Sequence, residues 1–397
     1  MAGQRAAKTN QRHPHVPKET IASRDKGKRK ADKPAEERVL SKRTKFNPVS
    51  IRDFECLRTL GEGGFAKVLL VRPKLSGMVT RSKRENRLYA MKVLRQDIMS
   101  MSHRADFFAE MRTLSNLPWN PFIAGFVNTF HDEINMYLLL ELIPYRHLLS
   151  RLFLAPKNTL ESNTALFYTA NIVCAIAFLH NHGVVHCDIK PENILIGADG
   201  YLALADFGMA KTEKNLTPRD VWAGYGTTMY RAIELQGGRN NPPDMRTAKC
   251  IDWWSLGCIV YEMHTGEPAW EGGEDDKVVM ESILRGTKEM KWPTGEYIPT
   301  ELRRFITSLL TPDPIDRLGV NGANEIKQHE WLSDYPWSTI MKRTAQAPWI
   351  PERRNITDVP HTRPLPRPDE VPSLDIVEPP RLYQFSDIAP RDEASSL

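Results

Sequence analysis

The amino-acid sequence predicts an α+β fold built as two lobes, a small antiparallel sheet with one helix and a larger, mainly helical part. Short apolar runs bounded by turn residues dominate residues 54–140, as expected of strands. Longer segments with apolar residues three and four positions apart dominate residues 164–310, as expected of helices. With 397 residues, the chain is long enough for two or three structural units.

The strands of the small lobe are predicted from short runs of apolar and β-branched residues. Residues 54–60 form one such run, which ends at a glycine cluster, and residues 68–71 form the next. Two further runs, 87–94 and 136–140, predict additional strands. Residues 103–117 have apolar side chains at helical spacing. The pattern therefore predicts one helix accompanying the small sheet.

The large lobe is predicted from four amphipathic or apolar segments. Helical spacing covers residues 164–182, 251–264, 278–284 and 301–310. After Trp337 the chain becomes rich in proline and loses its periodicity. We expect this last part to run over the surface as an extended tail.

The first 50 residues differ in composition from the rest of the chain. They hold 14 Lys or Arg against 5 Asp or Glu, a charge of +9, so the remainder carries −4 of the total of +5. Few apolar residues are present to offset the entropy of ordering, which predicts disorder. The basic clusters 26–30 and 42–45 suit nuclear import or polyanion binding, and a solubilising tail explains them equally well.

Composition also excludes several classes of protein. No apolar run reaches the ~18 residues of a membrane span, and no apolar signal segment follows the N-terminus. The five cysteines are scattered, which disfavours a zinc site and a disulfide framework. We expect an intracellular protein, cytoplasmic or nuclear or both, whose folded part is monomeric and binds no nucleic acid.

A glycine-rich run, Gly61-Glu62-Gly63-Gly64-Phe65, lies between the first two predicted strands. Glycines at such a turn let backbone N–H groups approach phosphate oxygens that a Cβ atom would block. A glycine-rich hairpin turn without a ligand explains the same residues. The run alone is therefore a weak indication of a phosphate-binding loop.

Lys92 lies within an otherwise apolar predicted strand, where its ammonium group needs a partner. Glu110, on the following predicted helix, can supply a carboxylate. A Lys–Glu pair beside a phosphate-binding loop would bind the α- and β-phosphates of a nucleotide. The alternative is a lysine on an edge strand whose ammonium extends into solvent.

The most specific pattern is a predicted hairpin flanked by polar residues. Apolar runs on both sides of Asp199-Gly200 predict two short antiparallel strands joined by a tight turn. The reversal brings Asn193, before the first strand, close to Asp206, after the second. An amide oxygen and a carboxylate side by side suit Mg²⁺, which prefers oxygen ligands.

Two further polar residues precede this hairpin. Asp188 can accept a hydrogen bond from an attacking hydroxyl group, and Lys190 can neutralise charge on a transferred phosphoryl group. An acidic surface loop with a solvated lysine is the alternative, but it does not explain why these residues adjoin the hairpin.

Taken together, the motifs between about Phe54 and Trp331 resemble those of eukaryotic protein kinases. The run 232–234 resembles the motif that closes the kinase activation segment, with Ile233 where proline is usual. The resemblance implies that Asp252 anchors the catalytic loop and that Arg317 pairs with Glu234. It also implies the two-lobed protein-kinase fold.

Within the kinases, the chain resembles the AGC group. The run 89–94 is typical of that group, as is the run 346–351 shortly after the domain. Residues 382–387 are a degraded candidate for the terminal aromatic motif that relatives dock onto the small lobe.

The resemblance implies boundaries for three parts of the chain. A disordered basic tail covers residues 1–50, and the kinase domain covers residues 51–333. Its small lobe extends over residues 51–143 and its large lobe over residues 144–333. An AGC-like C-terminal tail follows over residues 334–397.

The resemblance also implies ligands. ATP and Mg²⁺ are the expected cofactors, with Asp188, Lys190 and Asn193 catalytic and Asn193 and Asp206 holding the metal ion. The residues expected around ATP are Gly61, Gly63, Gly64, Phe65, Val68, Ala90, Lys92, Glu110, Glu141, Ile143 and Leu195.

A protein is the expected substrate, and Lys190 marks serine/threonine rather than tyrosine kinases. Glu192 and Glu262 match two acidic residues that bind basic residues of the substrate in AGC relatives. His147 stands where a third acid is usual, which predicts a weakened preference for basic residues.

Two departures from the family pattern agree with each other. Cys187 replaces the arginine that usually precedes the catalytic aspartate, and Ala223 occupies the usual phosphothreonine position. An arginine without its phosphate would be an unpaired charge, so losing both is physically coherent. We expect a serine/threonine kinase that needs no activation-loop phosphorylation; a pseudokinase that binds nucleotide or acts as a scaffold is the alternative.

Overall fold

The computed structural model describes eight stretches of the chain: residues 49–62, 66–74, 87–96, 100–212, 226–235, 245–273, 275–293 and 297–352. Within them, a five-stranded antiparallel sheet and eight α-helices form two lobes, which confirms the predicted α+β architecture. Residues 1–48 of the predicted basic tail and the 382–387 motif lie outside the described residues.

The small lobe consists of one sheet and one helix. The strand order is β1-β2-β3-β5-β4, and every neighbouring pair is antiparallel. The strands are β1 Phe54–Glu62, β2 Ala66–Pro73, β3 Tyr89–Arg95, β4 Phe126–His131 and β5 Asn135–Glu141. Leu70, Met91 and Leu138 are fully buried, since the central strands are covered on both faces. Helix α1, Met101–Asn116, begins at Ser100, whose hydroxyl accepts from the His103 N–H.

The large lobe is organised around two buried helices. Helices α3 and α4 bury side chains on nearly every face, so they form the interior of the lobe. The helices are α2 Leu148–Phe153, α3 Ser162–Asn181, α4 Met245–Thr265, α5 Asp276–Arg285, α6 Thr300–Leu309, α7 Ala323–Gln328 and α8 Trp337–Met341. Four short strands carry the functional loops: β6 Val184–Val185, β7 Ile194–Ile196, β8 Leu202–Leu204 and β9 Lys211–Thr212.

Helix α3 is long and apolar enough to cross a membrane by length and composition. However, 78% of its most apolar window is buried inside the protein, as in the core helix of a globular lobe. Among the described residues, no other helix passes the same test.

The predicted helices are present, with shifts at their ends. The helix expected over residues 251–264 begins six residues earlier, at Met245. Strand β4 and helices α2, α7 and α8 were not predicted, because each is short and shows no clear period. The predicted extended tail is wrong for its first residues. Helix α8 follows Pro336 there, and Ile340 is fully buried, because its side chain packs into the core of the large lobe.

A buried ion pair joins two distant parts of the large lobe. The Arg317 guanidinium lies 2.6 and 2.8 Å from the carboxylate oxygens of Glu234, which confirms the expected pairing. Arg317 also donates to three backbone carbonyl groups and lies 4.9 Å from the Trp254 ring centroid. With only 1% of Arg317 exposed, its charge is fully compensated by these contacts.

We expect Arg317→Met to lower the free energy of unfolding by about 3–5 kcal/mol, because it leaves the Glu234 carboxylate buried without its partner. Equilibrium denaturation with urea measures the change. Arg304→Met is the matched control, since the Arg304–Glu330 pair is exposed and should contribute little. Equal effects of the two substitutions would contradict the structural role given to Arg317.

Candidate active site

A buried carboxylate fixes the loop that follows β6. Asp252, on α4, is fully buried and accepts hydrogen bonds from the backbone N–H groups of His186 and Cys187, at 2.9 and 3.0 Å. The Nε2 atom of His180 lies 2.8 Å from the same carboxylate. Cys187 has a φ of +67°, a left-handed conformation that is uncommon for residues other than glycine. Asp252 thus anchors this loop, as the resemblance implied.

Three polar side chains of this anchored loop meet one another and Thr227, which lies on another loop. The Asn193 amide donates to the backbone oxygen and the carboxylate of Asp188, at 2.8 and 3.0 Å. The Lys190 ammonium lies 3.0 Å from the Asp188 carboxylate and donates to the Thr227 hydroxyl at 2.7 Å. Thr227 in turn donates its backbone N–H to Asp188 at 3.1 Å. Asp188 is therefore held in place from two sides.

The hairpin formed by β7 and β8 brings Asp206 to this cluster. The strands pair in register from Ile194 opposite Leu204 to Ile196 opposite Leu202. Beyond the strands, the Ala205 N–H donates to the Asn193 carbonyl at 2.8 Å. Asn193 and Asp206 therefore lie at the same open end of the hairpin, as the sequence predicts.

Lys92 connects the two lobes at this point. Its ammonium lies 2.8 Å from a carboxylate oxygen of Glu110 and 2.8 Å from one of Asp206. Burial alone would lower the Lys92 pKa, but the two carboxylates raise it above its ordinary value. Burial raises the pKa of Glu110 in spite of Lys92, whereas for Asp206 the ammonium outweighs desolvation and lowers the pKa. Lys92 is thus a fixed cation between two carboxylates.

The side chains predicted to enclose the adenine come from both lobes. Val68 lies on β2 and Ala90 on β3 of the small lobe, while Leu195 lies on β7 of the large lobe. All three are only partly buried, although their strands are otherwise well packed. Gly61 lies on β1, and a Cβ atom added there would meet nothing within 4 Å. Gly63, Gly64 and Phe65 lie outside the described residues.

The segment linking the lobes begins at Glu141, the last residue of β5. The Glu141 N–H donates to the Gly125 carbonyl at 2.8 Å, so this group is already engaged within the protein. Its carboxylate accepts from the Trp119 indole at 3.3 Å and pairs with Arg87 at 3.4 Å. Ile143 follows two residues later, beyond the end of the strand.

Of the two predicted substrate-binding acids, Glu262 is buried and Glu192 is partly buried. The Glu262 carboxylate accepts from the Tyr230 hydroxyl at 2.8 Å, and burial raises its pKa to about 7. Within the described part of the chain, one carboxylate oxygen of Glu192 is buried without a hydrogen-bond partner. His147 caps α2 by accepting from the Ser150 N–H, and burial lowers the pKa of its imidazole. His147 therefore adds no fixed charge near neutral pH.

The oxygen atoms at the open end of the hairpin fit a magnesium ion. Because the Asn193 amide nitrogen donates to Asp188, the amide oxygen points away from that residue. The Asp206 side chain is half exposed, so a carboxylate oxygen is accessible. No cluster of three His, Cys, Asp or Glu side chains forms a metal site among the described residues. An ion bound here would thus keep phosphate or water ligands, as Mg²⁺ usually does.

The sequence did not identify Thr227 as part of the site. Thr227 follows Asp188 by 39 residues, and no pattern links the two positions. Arg231 donates to the Gly226 carbonyl within the same loop, and Gly226 lies against the catalytic loop. A Cβ atom on Gly226 would lie 2.9 Å from the Cys187 carbonyl, so only glycine allows the approach.

Comparison with known proteins gives the family. Residues 54–332 match the protein kinase domain. The chain is 35% identical over 307 residues to the serine/threonine-protein kinase AtPK1/AtPK6 of Arabidopsis thaliana, covering 77% of this chain and 60% of the relative. It is 32% identical over 308 residues to the cAMP-dependent protein kinase catalytic subunit PRKX of Homo sapiens, covering 76% and 78%.

A third relative is the serine/threonine-protein kinase YPK1 of Saccharomyces cerevisiae, 33% identical over 319 residues. The matched region covers 80% of this chain and 43% of that protein. The chain thus spans about two fifths to three fifths of the length of several of its curated relatives. These similarities confirm the resemblance to AGC-group kinases.

Proposed function

The chain belongs to the protein kinase family, and we propose that it transfers the γ-phosphate of ATP to serine or threonine hydroxyl groups of proteins. One observation carries this proposal. A lysine paired with two carboxylates adjoins an aspartate–asparagine pair at the open end of one hairpin, and every group is held by hydrogen bonds. Phosphoryl transfer needs this combination of a fixed cation, oxygen ligands for a metal ion and an acceptor for a proton.

Each residue has a distinct part in the proposed transfer. Asp188 accepts the hydrogen bond of the incoming hydroxyl and takes its proton as the new O–P bond forms, while ADP leaves. Lys190 stabilises charge on the transferred phosphoryl group, and Lys92 binds the remaining phosphates. Asn193 and Asp206 would hold Mg²⁺, which offsets negative charge on the phosphates.

The preference for serine and threonine is supported by the chain's own residues and by its relatives. Lys190 follows Asp188 by two residues, and its bond to Thr227 keeps the ammonium beside the proposed proton acceptor. The relatives described above carry serine/threonine kinase or cAMP-dependent kinase in their names.

A pseudokinase that only binds nucleotide or acts as a scaffold is the second candidate. Its main support is the pair of departures from the family pattern at Cys187 and Ala223. Against it, the six polar groups required for transfer are present in two bonded sets, Lys92 with Glu110 and Asp206, and Asp188 with Lys190 and Asn193. Catalysis is the better reading because a scaffold has no need of this arrangement.

We expect Asp206→Asn to reduce phosphate transfer at least about 100-fold, because it removes a charged metal ligand and a partner of Lys92. Transfer from Mg²⁺–ATP to a degenerate serine/threonine peptide library measures the effect. Asp334→Asn, on an exposed residue of the large lobe, is the matched control. A wild-type protein without transfer would favour the pseudokinase, and an equally active Asp206→Asn variant would contradict the role given to Asp206.

We further propose that activation-loop phosphorylation is not required. Cys187 lies in a small apolar cluster with Val185 and Ala248, against which Met209 and Met245 pack. Burial raises the pKa of the Cys187 thiol well above its ordinary value, so the group stays neutral. Cys187 stands at the position that carries arginine in many relatives, and its neutral thiol provides no positive charge to bind a phosphate group.

Contacts without phosphate hold the end of the activation segment instead. The Gly226 N–H lies 3.1 Å from the sulfur atom of Met209, and Thr227 contacts both Asp188 and Lys190. Ala223 and Thr217 lie outside the described residues. These contacts support an end of the segment, at Gly226 and Thr227, that lies against the catalytic loop without a phosphate.

We expect the enzyme to keep most of its activity after treatment with a broad-specificity phosphatase that is removed before the assay. The reason is that no arginine beside Asp188 depends on a phosphate for its partner. Thr217 is a candidate phosphorylation site near Ala223 in the sequence, and Thr217→Ala should likewise remain active. The proposal would be contradicted if the phosphatase-treated wild type lost most of its activity and regained it on preincubation with ATP. A large loss of activity in Thr217→Ala would contradict it as well.

We also propose that Glu192 and Glu262 bind basic residues of the substrate. The buried oxygen of Glu192 that lacks a partner is suited to a cationic ligand, because an unpaired buried carboxylate is otherwise costly. Glu262 is oriented by Tyr230. Because His147 has a neutral imidazole where a third acid is usual, we expect the enzyme to have a weaker preference for arginine in its substrate than a kinase with three acids.

We expect the KM for an arginine-containing peptide to fall as pH rises from 6 to 8. With a pKa of about 7, Glu262 is only ~10% ionised at pH 6 and ~90% ionised at pH 8, and only the carboxylate attracts arginine. Glu262→Gln should abolish the trend, whereas the exposed Glu281→Gln should retain it. An analogue with alanine in place of the arginine is the control peptide. If the ratio of the KM values for the two peptides did not change with pH, Glu262 would not be the residue that binds the arginine.

A further inference from the structure

Two large apolar side chains are exposed side by side at the end of α2. Phe153 is the last residue of the helix and is 67% exposed, and Leu154, which follows it, is 66% exposed. Leu152, just before them, is buried and anchors the end of the helix. Single exposed apolar residues are common on protein surfaces, whereas adjacent ones form a patch that can bind an apolar partner. Phe153 and Leu154 are called the apolar ridge below.

The turn that follows the apolar ridge is ordered by its own hydrogen bonds. The Asn158 N–H donates to the Ala155 carbonyl at 3.0 Å. The Thr159 N–H donates to the Pro156 carbonyl at 3.1 Å. Lys157 and Asn158 have φ values of +56° and +58°, left-handed conformations that persist in such residues only where the surrounding structure holds them. The ridge is therefore presented by a fixed turn.

This turn packs against the end of α4, the helix that carries Glu262. The Leu160 N–H donates to the Met263 carbonyl at 2.9 Å. A Cβ atom on Gly266, whose φ is +74°, would collide with the Lys157 carbonyl oxygen, so only glycine allows this approach. Gly266 in turn donates its N–H to the Glu262 carbonyl at 2.9 Å. One flank of the apolar ridge is thus joined to a residue proposed to bind arginine.

The other flank of the apolar ridge leads to Glu192. Helix α2 begins at His147 and packs against the turn that holds Glu192. Burial lowers the pKa of His147, and the neighbouring Glu192 carboxylate opposes this effect. At 1.5 Å per residue, α2 carries the chain roughly 9 Å from His147 to Phe153. An extended polypeptide covers that distance in about three residues.

The charges on both flanks indicate which partner fits the apolar ridge. Glu161 and Glu267 are exposed on the segments that adjoin the turn. Together with Glu192 and Glu262, they outweigh the ammonium group of Lys157. A polypeptide with a positive charge and, a few residues away, a large apolar side chain complements this arrangement. The protein substrate already meets the first condition, because its basic residue is proposed to bind at Glu192 and Glu262.

We propose that the apolar ridge binds a large apolar side chain of the protein substrate, about three to five residues from the arginine that Glu192 and Glu262 bind. The inference rests on the proposed function, because it takes the occupant to be the polypeptide that presents the serine or threonine. The ridge contacts neither the phosphates nor the hydroxyl group. It therefore selects substrates through binding and takes no part in the chemical step.

A leucine scan tests the proposal by binding alone. The probes are fluorescent peptides with one serine and one arginine in an alanine–glycine background, and leucine is placed singly at successive positions on both sides of the arginine. Fluorescence anisotropy with the nucleotide-free full chain measures the Kd. We expect leucine about three to five residues from the arginine to lower the Kd about fivefold relative to alanine there, because part of its side chain leaves water. A scan with no gain above about twofold would overturn the proposal.

The double variant Phe153→Ser/Leu154→Ser should abolish this gain, so that the leucine and alanine peptides bind with the same Kd. Leu284→Ser is the matched control, because Leu284 is likewise 67% exposed but lies on α5. The control should retain the whole leucine gain. A gain that survives in the double variant, or that is lost equally in the control, would show that leucine binds elsewhere and would overturn the proposal.

Gly266 provides an independent variant. Gly266→Ala should displace the turn through the Lys157 carbonyl and reduce the leucine gain. Gly286→Ala is its control, because Gly286 has a similar φ of +80° with nothing within 4 Å of an added Cβ. Equal gains in the two folded variants would contradict the proposal, and if Gly266→Ala does not fold, the double variant decides. Anisotropy needs no catalysis, so a wild type that transfers no phosphate to these peptides refutes the proposed function, whereas the leucine comparison still decides whether the ridge binds.

Discussion

The geometry of the active site depends on the buried carboxylate of Asp252. A fully buried charge is costly unless hydrogen bonds replace its hydration, and here two backbone N–H groups and an imidazole nitrogen do so. The same bonds hold Cys187 at a positive φ, a conformation that costs of order 1–3 kcal/mol when unsupported. Because Asp252 is rigidly packed within α4, its hydrogen bonds fix the loop that bears Asp188 to the core of the large lobe.

The second constraint is the charge arrangement that joins the lobes. Lys92 comes from the small sheet, Glu110 from helix α1 and Asp206 from the hairpin of the large lobe. Desolvation opposes ionising each of these groups, and their mutual attraction outweighs it for Lys92 and Asp206. A nucleotide phosphate that approached this point would find a cation already oriented. The pairing therefore holds the two lobes in the relative position in which Lys92 is oriented to bind a nucleotide phosphate.

Local patterns predicted much of this architecture, and distant contacts account for what they missed. The Asp199-Gly200 turn and its two flanking apolar runs are adjacent in the sequence, so the proximity of Asn193 and Asp206 could be predicted from the sequence alone. Thr227 reaches Asp188 through tertiary folding across 39 residues, which no period reports. Helix α8 was mistaken for extended chain because its five residues are too few to show a helical period. Trp349 likewise packs against Tyr145 and Arg151, which lie about 200 residues earlier in the chain.

The central claim is that one anchored hairpin presents oxygen ligands for a metal–nucleotide complex beside Lys92. Calorimetric titration of the full chain with ADP, in Mg²⁺ and again in EDTA, tests it most directly. The account predicts measurable binding with Mg²⁺ that becomes much weaker in EDTA, because Asn193 and Asp206 would hold the ion and the ion would offset the charge of the phosphates. Equal affinity in both buffers, or no binding in either, would contradict it.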